Sequence, residues 1–334
     1  MWSYILKRLA QLIPLWFLIT IVVFILIQLP PGDYLSNMIH TLESRGTTVS
    51  QSYIDTFAQR YHLREPMVKQ YFYWIGGVLF RGDLGESFVW GKPVAELIGE
   101  RMALTIAIAL LSLLLTWAIA IPAGIYSAIK QYSAFDYISM FIAFIGISIP
   151  GFILALILIY EFFALTGIPL TGLFSSAFEA APWSFAKVID MLKHIWLPVV
   201  LVAVNSTGTM MRTVRGLMLD ELGKQYVLTA RAKGLKEKRL LIRYPVRMAI
   251  NPIISTIGWL LPTIIGGEVL ISVIMNLQTM GPLMLRSLLS QDMYLSASFL
   301  LITSTLTILG TLVSDILLAV MDPRIRYSKI GSLQ

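Results

Sequence analysis

The chain has 334 residues, of which 57% are hydrophobic and only 13% are charged. Its mean hydropathy is +0.75, whereas soluble domains carry about 25% charged residues. This composition excludes an ordinary soluble enzyme and predicts an all-α membrane protein. The chain has no cysteine, which excludes disulfides, thiolate metal sites and a cysteine nucleophile.

Six uncharged runs are long enough to cross a bilayer, since a spanning helix needs about 20 mainly apolar residues. They are Leu9–Leu29, Met102–Ile129, Ile138–Tyr160, Ile195–Met211, Met248–Gly267 and Met293–Ser314. The first run is too long for a signal peptide and lacks a small-residue cleavage site, so we expect an uncleaved anchor. A further uncharged stretch, Val269–Leu285, is expected to be re-entrant or interfacial and broken at Gly281-Pro282.

These runs predict four parts of the chain. Residues 1–30 hold the N-terminal tail and first span, residues 31–101 form an extracytoplasmic helical region, residues 102–323 contain spans two to six, and residues 324–334 form a tail. The extracytoplasmic region has helical periodicity, with Pro66 at a helix start. Its two apolar faces are Ile54, Phe57, Ala58 and Tyr61, and then Val68, Tyr71, Phe72, Ile75 and Leu79.

The placement of Lys and Arg predicts that both chain ends are cytoplasmic. The most basic connection is the loop of residues 212–247, which holds ten basic and three acidic residues and so matches the whole net charge of +7. A single basic loop between apolar runs is typical of a cytoplasmic connection, and no nucleic-acid partner is expected.

Motifs of catalysis and cofactor binding are not found in the sequence. The three histidines, His40, His62 and His194, are isolated and lack zinc-ligand spacing. The segment Gly85–Lys92 differs from a phosphate-binding loop in its spacing, and Pro93 stands where a magnesium-binding hydroxyl would be needed. We therefore predict no catalytic, metal or cofactor-binding residue in this chain.

Polar residues inside apolar runs mark either contacts between helices or a wet passage. Asn205 and Thr209 lie in the fourth run, and Glu268 follows the fifth. We keep these three as candidate pore or gate residues, with interhelical packing or helix capping as the alternative. Glu161 and Asp315 are expected to be structural.

The basic loop contains the compact segment Tyr226-Val-Leu-Thr-Ala-Arg-Ala-Lys-Gly234, a helix-forming run stopped by glycine. A helix of two turns is unstable alone in water, so it needs a partner surface. The predicted partner-binding residues are Tyr226, Thr229, Ala230, Arg231, Ala232, Lys233 and Gly234.

This segment resembles the EAA loop of permease subunits of binding-protein-dependent ABC importers, specifically the B-type permeases of the oligopeptide, dipeptide and nickel group. Further matches are Arg81-Gly-Asp-Leu-Gly-Glu-Ser87, Pro93-Val94 with Arg101, and Asp322-Pro-Arg-Ile-Arg326. The resemblance covers essentially the whole chain. It implies a type I ABC importer permease fold with six transmembrane helices.

The resemblance also implies the partners and the location. The chain would form half of a heterodimeric pore with a second homologous permease, beside two ATPase subunits that hold ATP and Mg and an extracytoplasmic substrate-binding protein. It would lie among lipid in a bacterial or archaeal cell membrane, with residues 226–234 as the coupling helix.

The cargo stays open at this point among peptides, oligosaccharides and nickel. Asn276-Leu-Gln-Thr-Met-Gly-Pro282 stands where the family commonly has a Phe followed by Pro-Gly-Leu-Gly, so oligosaccharides are kept beside oligopeptides and dipeptides. A secondary transporter is the alternative class, and it would show inverted repeats and a charged relay.

Overall fold

The computed structural model describes residues 2–29, 39, 51–167, 171–175, 177–179, 181–250, 253 and 269–321. These residues are helical between turns and loops, apart from an isolated antiparallel bridge between Glu86 and Pro93. The expected helical class is therefore confirmed for the part of the chain that the structure describes.

Thirteen helices are named, in chain order. They are α1 (Trp2–Gln28), α2 (Gln51–Arg60), α3 (Met67–Arg81), α4 (Val94–Ile129), α5 (Ala134–Ser148), α6 (Gly151–Thr166), α7 (Phe185–His194), α8 (Trp196–Leu222), α9 (Gln225–Ala232), α10 (Glu237–Arg243), α11 (Val269–Ile274), α12 (Met280–Leu289) and α13 (Met293–Met321). Residues 245–250 are also helical.

Three helices are long and apolar enough to span a membrane: Arg8–Gln28, Val94–Ile129 and Met293–Val320. Two bent pairs, α5 with α6 and α7 with α8, raise the number to as many as five among the described residues. Most of the predicted fifth span, Met248–Gly267, lies outside those residues. The total of six stays a prediction.

The described residues divide into two compact units. The larger unit comprises the described residues of Met1–Ile5, Leu104–Gly281 and Leu309–Gln334. The smaller unit comprises the described residues of Leu6–Ala103 and Pro282–Ile308.

The smaller unit has an aromatic and aliphatic core formed by α1, α3 and α13. Phe24, Trp74, Ile75, Ala297 and Leu301 are buried together there. The Phe24 and Trp74 rings stack with their centroids 5.7 Å apart. Helix α3 begins after Pro66, as predicted.

The apolar face of α3 differs from the predicted one. Trp74 and Ile75 are buried, but Val68, Phe72 and Leu79 are exposed. The periodicity correctly indicated a helix, but α3 is apolar on more than one side, so the pattern did not determine which side packs.

A buried carboxylate fixes the loop before α4 to the start of α13. Asp292 is fully buried and accepts hydrogen bonds from the Ser87 hydroxyl and from the Val89 amide at 3.2 Å. The amide of Leu295 donates to the same carboxylate at 3.4 Å, so Asp292 also caps α13. This contact holds the end of the segment 81–87 that the sequence analysis singled out.

The predicted third span is two helices at an angle of 95°. Pro150 lacks the amide that would bond the Gly146 carbonyl, and it forces Ile149 into an extended conformation (φ −92°, ψ 116°). The Asn205 side chain of α8 supplies the missing donor, at 3.5 Å from the Gly146 carbonyl and 3.3 Å from that of Ile147.

The break in the segment 269–285 was predicted at the wrong place. Helix α11 ends at Ile274, Asn276 has a positive φ of 53°, and α12 begins at Met280. Gly281-Pro282 therefore lies in the first turn of α12. Proline is compatible with a first turn because the amides there have no partner in the helix.

Helices α5 and α8 pack closely in the larger unit. An added Cβ at Gly208 of α8 would lie 2.5 Å from the Ala143 carbonyl oxygen of α5. Only glycine permits this approach of the two backbones.

An ion pair joins the same two helices. Arg215 of α8 donates to both oxygens of Asp136, through Nε at 2.7 Å and Nη2 at 2.8 Å. The Asp136 side chain is 2% exposed and also accepts from the Ser127 hydroxyl of α4 and from the Tyr132 amide at 3.0 Å. Because each oxygen accepts two hydrogen bonds, the carboxylate is fully satisfied.

Removing either partner of this pair should destabilise the larger unit. Asp136→Ala and Arg215→Ala should each cost about 3 kcal/mol, because the remaining charge loses its partner in a largely buried site. The double variant should cost less than the sum of the two. Thermal unfolding of the purified protein measures this.

Asp220→Ala is the matched control, since Asp220 is an exposed carboxylate on the same helix. Its effect should stay within about 0.5 kcal/mol. Equal effects of Asp136→Ala and Asp220→Ala would contradict the structural role of the pair.

Candidate functional site

Helix α9 occupies the segment predicted to bind a partner, and its end is fixed by backbone hydrogen bonds. The Gly234 amide donates to the Arg231 carbonyl at 3.0 Å, and the Leu235 amide donates to the Ala230 carbonyl at 3.4 Å. This pair of bonds is the Schellman motif, in which the residue after the helix adopts a left-handed conformation. Gly234 has a φ of +77°, which explains why glycine stands there.

The short helix has a partner within its own chain. Val227 and Ala230 of α9 are buried together with Leu240 of α10, and Leu235 and Tyr244 pack against them. Two short helices thus share a small apolar core. We call residues 225–243 the coupling unit, after the role predicted for this segment from the sequence. The instability of an isolated two-turn helix is offset in part by this contact.

The predicted site residues lie on different sides of α9. Ala230 is 7% exposed and faces α10. The other six predicted residues are exposed, namely Tyr226, Thr229, Arg231, Ala232, Lys233 and Gly234. Gln225 and Leu228 of the same helix are exposed as well. The surface open to a partner is therefore formed by these exposed residues, without Ala230.

Helix α9 is attached to the end of α8 through a carboxylate. Glu221 accepts hydrogen bonds from the Tyr226 hydroxyl and the Lys224 ammonium group. Two causes raise the pKa of Tyr226: partial burial, which is the larger, and the hydrogen bond to the Glu221 carboxylate. Tyr226 therefore remains a neutral donor at every physiological pH.

An exposed ion pair spans the turn between α9 and α10. Arg231 donates to Glu237 through Nη2 at 2.6 Å and Nε at 3.2 Å. The hydrogen bond between them raises the pKa of Arg231 and lowers that of Glu237. Both side chains are about half exposed, so the pair orients the turn more than it stabilises it.

The sequence analysis did not single out Glu221, which holds α9, or the pair of Asp136 and Arg215, which joins α5 to α8. Glu221 was visible as an acid within a basic loop, and Asp136 lies three residues after Ser133, a typical N-cap spacing. Arg215 gave no local signal, because its partner is 79 residues away.

The candidate pore residues lie along one exposed side of α8. Asn205 and Thr209 are exposed, and the Thr209 hydroxyl donates to the Asn205 carbonyl at 3.1 Å. Thr213 follows with the same bond to the Thr209 carbonyl at 2.9 Å. Asn205 also donates to a carbonyl of α5, so it makes an interhelical contact and is exposed at the same time. Glu268 lies outside the described residues.

Metal-ligating clusters are not found in the part of the chain that the structure describes. The apolar cavity of about 400 Å³ in the larger unit is lined by α4, α5 and α8 residues such as Ile119, Ile142 and Val204. Neither feature indicates catalytic chemistry at the described residues.

Comparison with known proteins identifies the family of the chain. Residues 120–327 match the family described as binding-protein-dependent transport system inner membrane component. The chain belongs to this family. The match includes α5, α8 and the complete coupling unit.

Individual relatives match over almost their full length. The oligopeptide transport system permease protein AppB of Bacillus subtilis is 35% identical over 97% of this chain and 99% of that protein. A Brucella abortus protein, named for a peptide transport system permease, is 31% identical over 98% of this chain and 100% of its own length. A Sinorhizobium fredii protein, named for a peptide ABC transporter permease, is 31% identical over 97% of this chain.

The chain is therefore a permease subunit of an ABC importer and a multi-pass protein of the bacterial membrane. The predicted resemblance is confirmed. As a permease component it is a non-catalytic subunit.

The glycine that ends α9 supplies a local test of the coupling unit. Gly234→Val should loosen the unit, because a left-handed backbone costs a side-chain-bearing residue about 1–2 kcal/mol. Amide hydrogen exchange across residues 225–235 should become about tenfold faster.

Gly223→Val is the matched control at the other end of α9. Gly223 is also exposed, but its φ of −79° suits any residue. Equal exchange rates in the two variants would show that the left-handed turn does not stabilise the unit.

Proposed function

We propose that the chain forms half of a heterodimeric pore for peptides and that the coupling unit docks into a separate ATPase subunit. The observation that carries the proposal is the exposed surface of α9, a short helix in a basic loop that packs on α10 with its other side. A preformed helix loses little conformational entropy on docking, so it is suited to transmit force.

The attachment of the unit supports transmission to the membrane. Tyr226 and Lys224 bind Glu221 at the end of α8, so a displacement of α9 acts directly on that helix. Arg215, further along α8, passes the displacement to α5 through Asp136. In the proposed mechanism, ATP and Mg are held by two partner ATPase subunits, and their closure moves α8 and α5 together between inward- and outward-facing states.

The polar side of α8 is the proposed pore lining. Asn205, Thr209 and Thr213 are spaced by four residues, so they form one stripe along the helix. Both threonine hydroxyls bond carbonyls of their own helix, which satisfies the donors while leaving acceptor lone pairs for water or cargo. Glu268 is kept as the proposed outer gate.

Peptides are the proposed cargo because the relatives reported above are named for oligopeptide or peptide transport. Those names offer no support for oligosaccharides. The remaining proposed partners are a second homologous permease, an extracytoplasmic substrate-binding protein and membrane lipid. Family membership argues against the alternative of a secondary transporter.

The docking proposal predicts that a charge placed on the outer surface of α9 blocks assembly. Ala232→Glu and Leu228→Glu should strongly reduce both ATPase co-purification and peptide uptake, because an unpaired carboxylate would be desolvated in the contact. Insertion of the chain in the membrane should be unchanged. Co-purification from detergent extracts and uptake in cells are the two measurements.

Two controls make the result specific. Gln59→Glu adds the same charge on the exposed surface of α2 and should assemble normally. Ala230→Glu would disturb the α9–α10 core, so it reports on the fold of the unit and not on docking. Normal co-purification and uptake in both Ala232→Glu and Leu228→Glu would refute docking through α9.

The proposed orientation is tested by single cysteines, since the chain has none of its own. Gln59→Cys should react with an impermeant thiol reagent added to intact cells. Lys236→Cys, in the basic loop, should react only after permeabilisation. Both residues are exposed, so access is not limited by the fold. Labelling of Lys236→Cys in intact cells would reverse the proposed topology.

A further inference from the structure

Helix α7 exposes its apolar side and turns its polar side toward the protein, which is the reverse of a surface helix on a soluble protein. Phe185, Ile189 and Leu192 lie on one side at helical spacing and are all exposed, Phe185 to 82%. Trp196, at the start of α8, extends the same stripe. We call these four residues the apolar stripe. A surface helix in water would bury such a stripe against its own protein.

The polar side of α7 is turned toward the protein instead, and Lys187 shows this most clearly. Its side chain is buried, and its ammonium group donates to the Ala181 carbonyl at 2.5 Å. The same group lies 4.7 Å from the centre of the Phe174 ring and 5.5 Å from that of Trp183. The contacts form a cation–π site, which is strongest when it is shielded from water.

A second polar residue anchors the same side of the helix. Asp190 accepts hydrogen bonds from the Ser175 amide at 2.7 Å and the Ser175 hydroxyl at 2.9 Å. The preceding Ser184 caps the helix by accepting from the Lys187 amide at 3.2 Å. The rotation of α7 is therefore set by specific bonds, and the outward orientation of the apolar stripe follows from it.

We propose that α7 lies along the membrane surface and inserts its apolar stripe into the boundary between lipid headgroups and acyl chains. Amphipathic helices of this kind bury the apolar face about 5–10 Å deep in that boundary. Trp183 and Trp196 stand at the two ends of the helix, and tryptophan is the side chain favoured at this depth. Lys193, exposed beside the stripe, is placed to reach a lipid phosphate.

Helix α8 indicates why lipid, and not a protein subunit, covers the stripe. Trp196 and the exposed Val200 continue the apolar surface onto this helix. Asn205, the first residue of the polar stripe, is nine residues after Trp196, which is a rotation of about 180° around a helix. The apolar and polar exposed surfaces thus lie on opposite sides of α8, and the apolar one faces away from the side suited to water or cargo.

An interfacial position also fits α7 better than a position inside the bilayer. Its ten residues include Lys187, Asp190, Lys193 and His194, and charged groups are costly at the bilayer centre. The chain bends by 42° at Ile195 before α8 begins. Helix α8 has 27 residues, so its own length is sufficient to cross the bilayer without α7.

Site-directed spin labels test the proposal in the complete complex, reconstituted in lipid nanodiscs. Nitroxides at Ile189→Cys and Leu192→Cys should be accessible to oxygen and shielded from a water-soluble nickel chelate. Their oxygen-to-chelate accessibility ratio should be severalfold higher than that of a label at Gln59→Cys, an exposed position on α2. The cysteine-free wild-type chain, carried through the same labelling, gives the background.

Two results would overturn the proposal. Access of the chelate to Ile189→Cys and Leu192→Cys would place the stripe in water, and shielding from both oxygen and chelate would place it against a protein subunit. A second measurement needs no substitution: a phospholipid with a photoreactive group near the top of its acyl chain should crosslink the wild-type complex within residues 185–196. Crosslinks elsewhere in the chain but not there would contradict the assignment.

Discussion

The bidentate ion pair between Arg215 and Asp136 is the contact on which the larger unit depends. Asp136 precedes the apolar run of α5 and Arg215 follows that of α8, so the charges meet just beyond the two runs. Ser127 of α4 and the Tyr132 amide complete the acceptor sites of the carboxylate. Three helices are therefore joined at one buried group. A partly satisfied carboxylate in this position would destabilise the fold, whereas a fully satisfied one specifies how the helices meet.

Helix α8 connects this ion pair to the other features of the unit. Asn205 compensates for the amide that Pro150 lacks, Gly208 lets the backbones of α5 and α8 approach, and Glu221 holds Tyr226 of the coupling unit. Asn205 and Glu221 each supply a hydrogen-bonding group that a neighbouring segment needs, and Gly208 supplies the space that a side chain would fill. Because these contacts lie along one helix, α8, α5 and α9 are expected to move as one body.

Much of this organisation could be predicted from the sequence, because apolar run length and glycine position are local signals. The helix before Gly234 followed from the position of that glycine, and the start of α3 followed from Pro66. The permease family was indicated by the resemblance of several motifs, and the family match confirms it. Pro150 interrupts a helix, whereas Pro282 lies in the first turn of one. The length of an apolar run does not distinguish these two cases, so the bend and the break were not predicted correctly. The partners of Arg215, Asn205 and Glu221 depend on tertiary packing, which a single sequence does not display.

The exposed surface of this chain also indicates how it is completed by its surroundings. Large exposed apolar areas are costly in water, whereas exposed hydroxyl and amide groups are costly in lipid. On α8 the two kinds of surface are separated by about half a turn of the helix, so no single solvent suits both sides. A chain embedded in lipid on one side and open to water on the other satisfies both requirements, and half of a pore provides those two environments. The outward apolar stripe of α7 and the polar stripe of α8 are thus two consequences of one requirement, that each side of the chain meets the solvent that its side chains can tolerate.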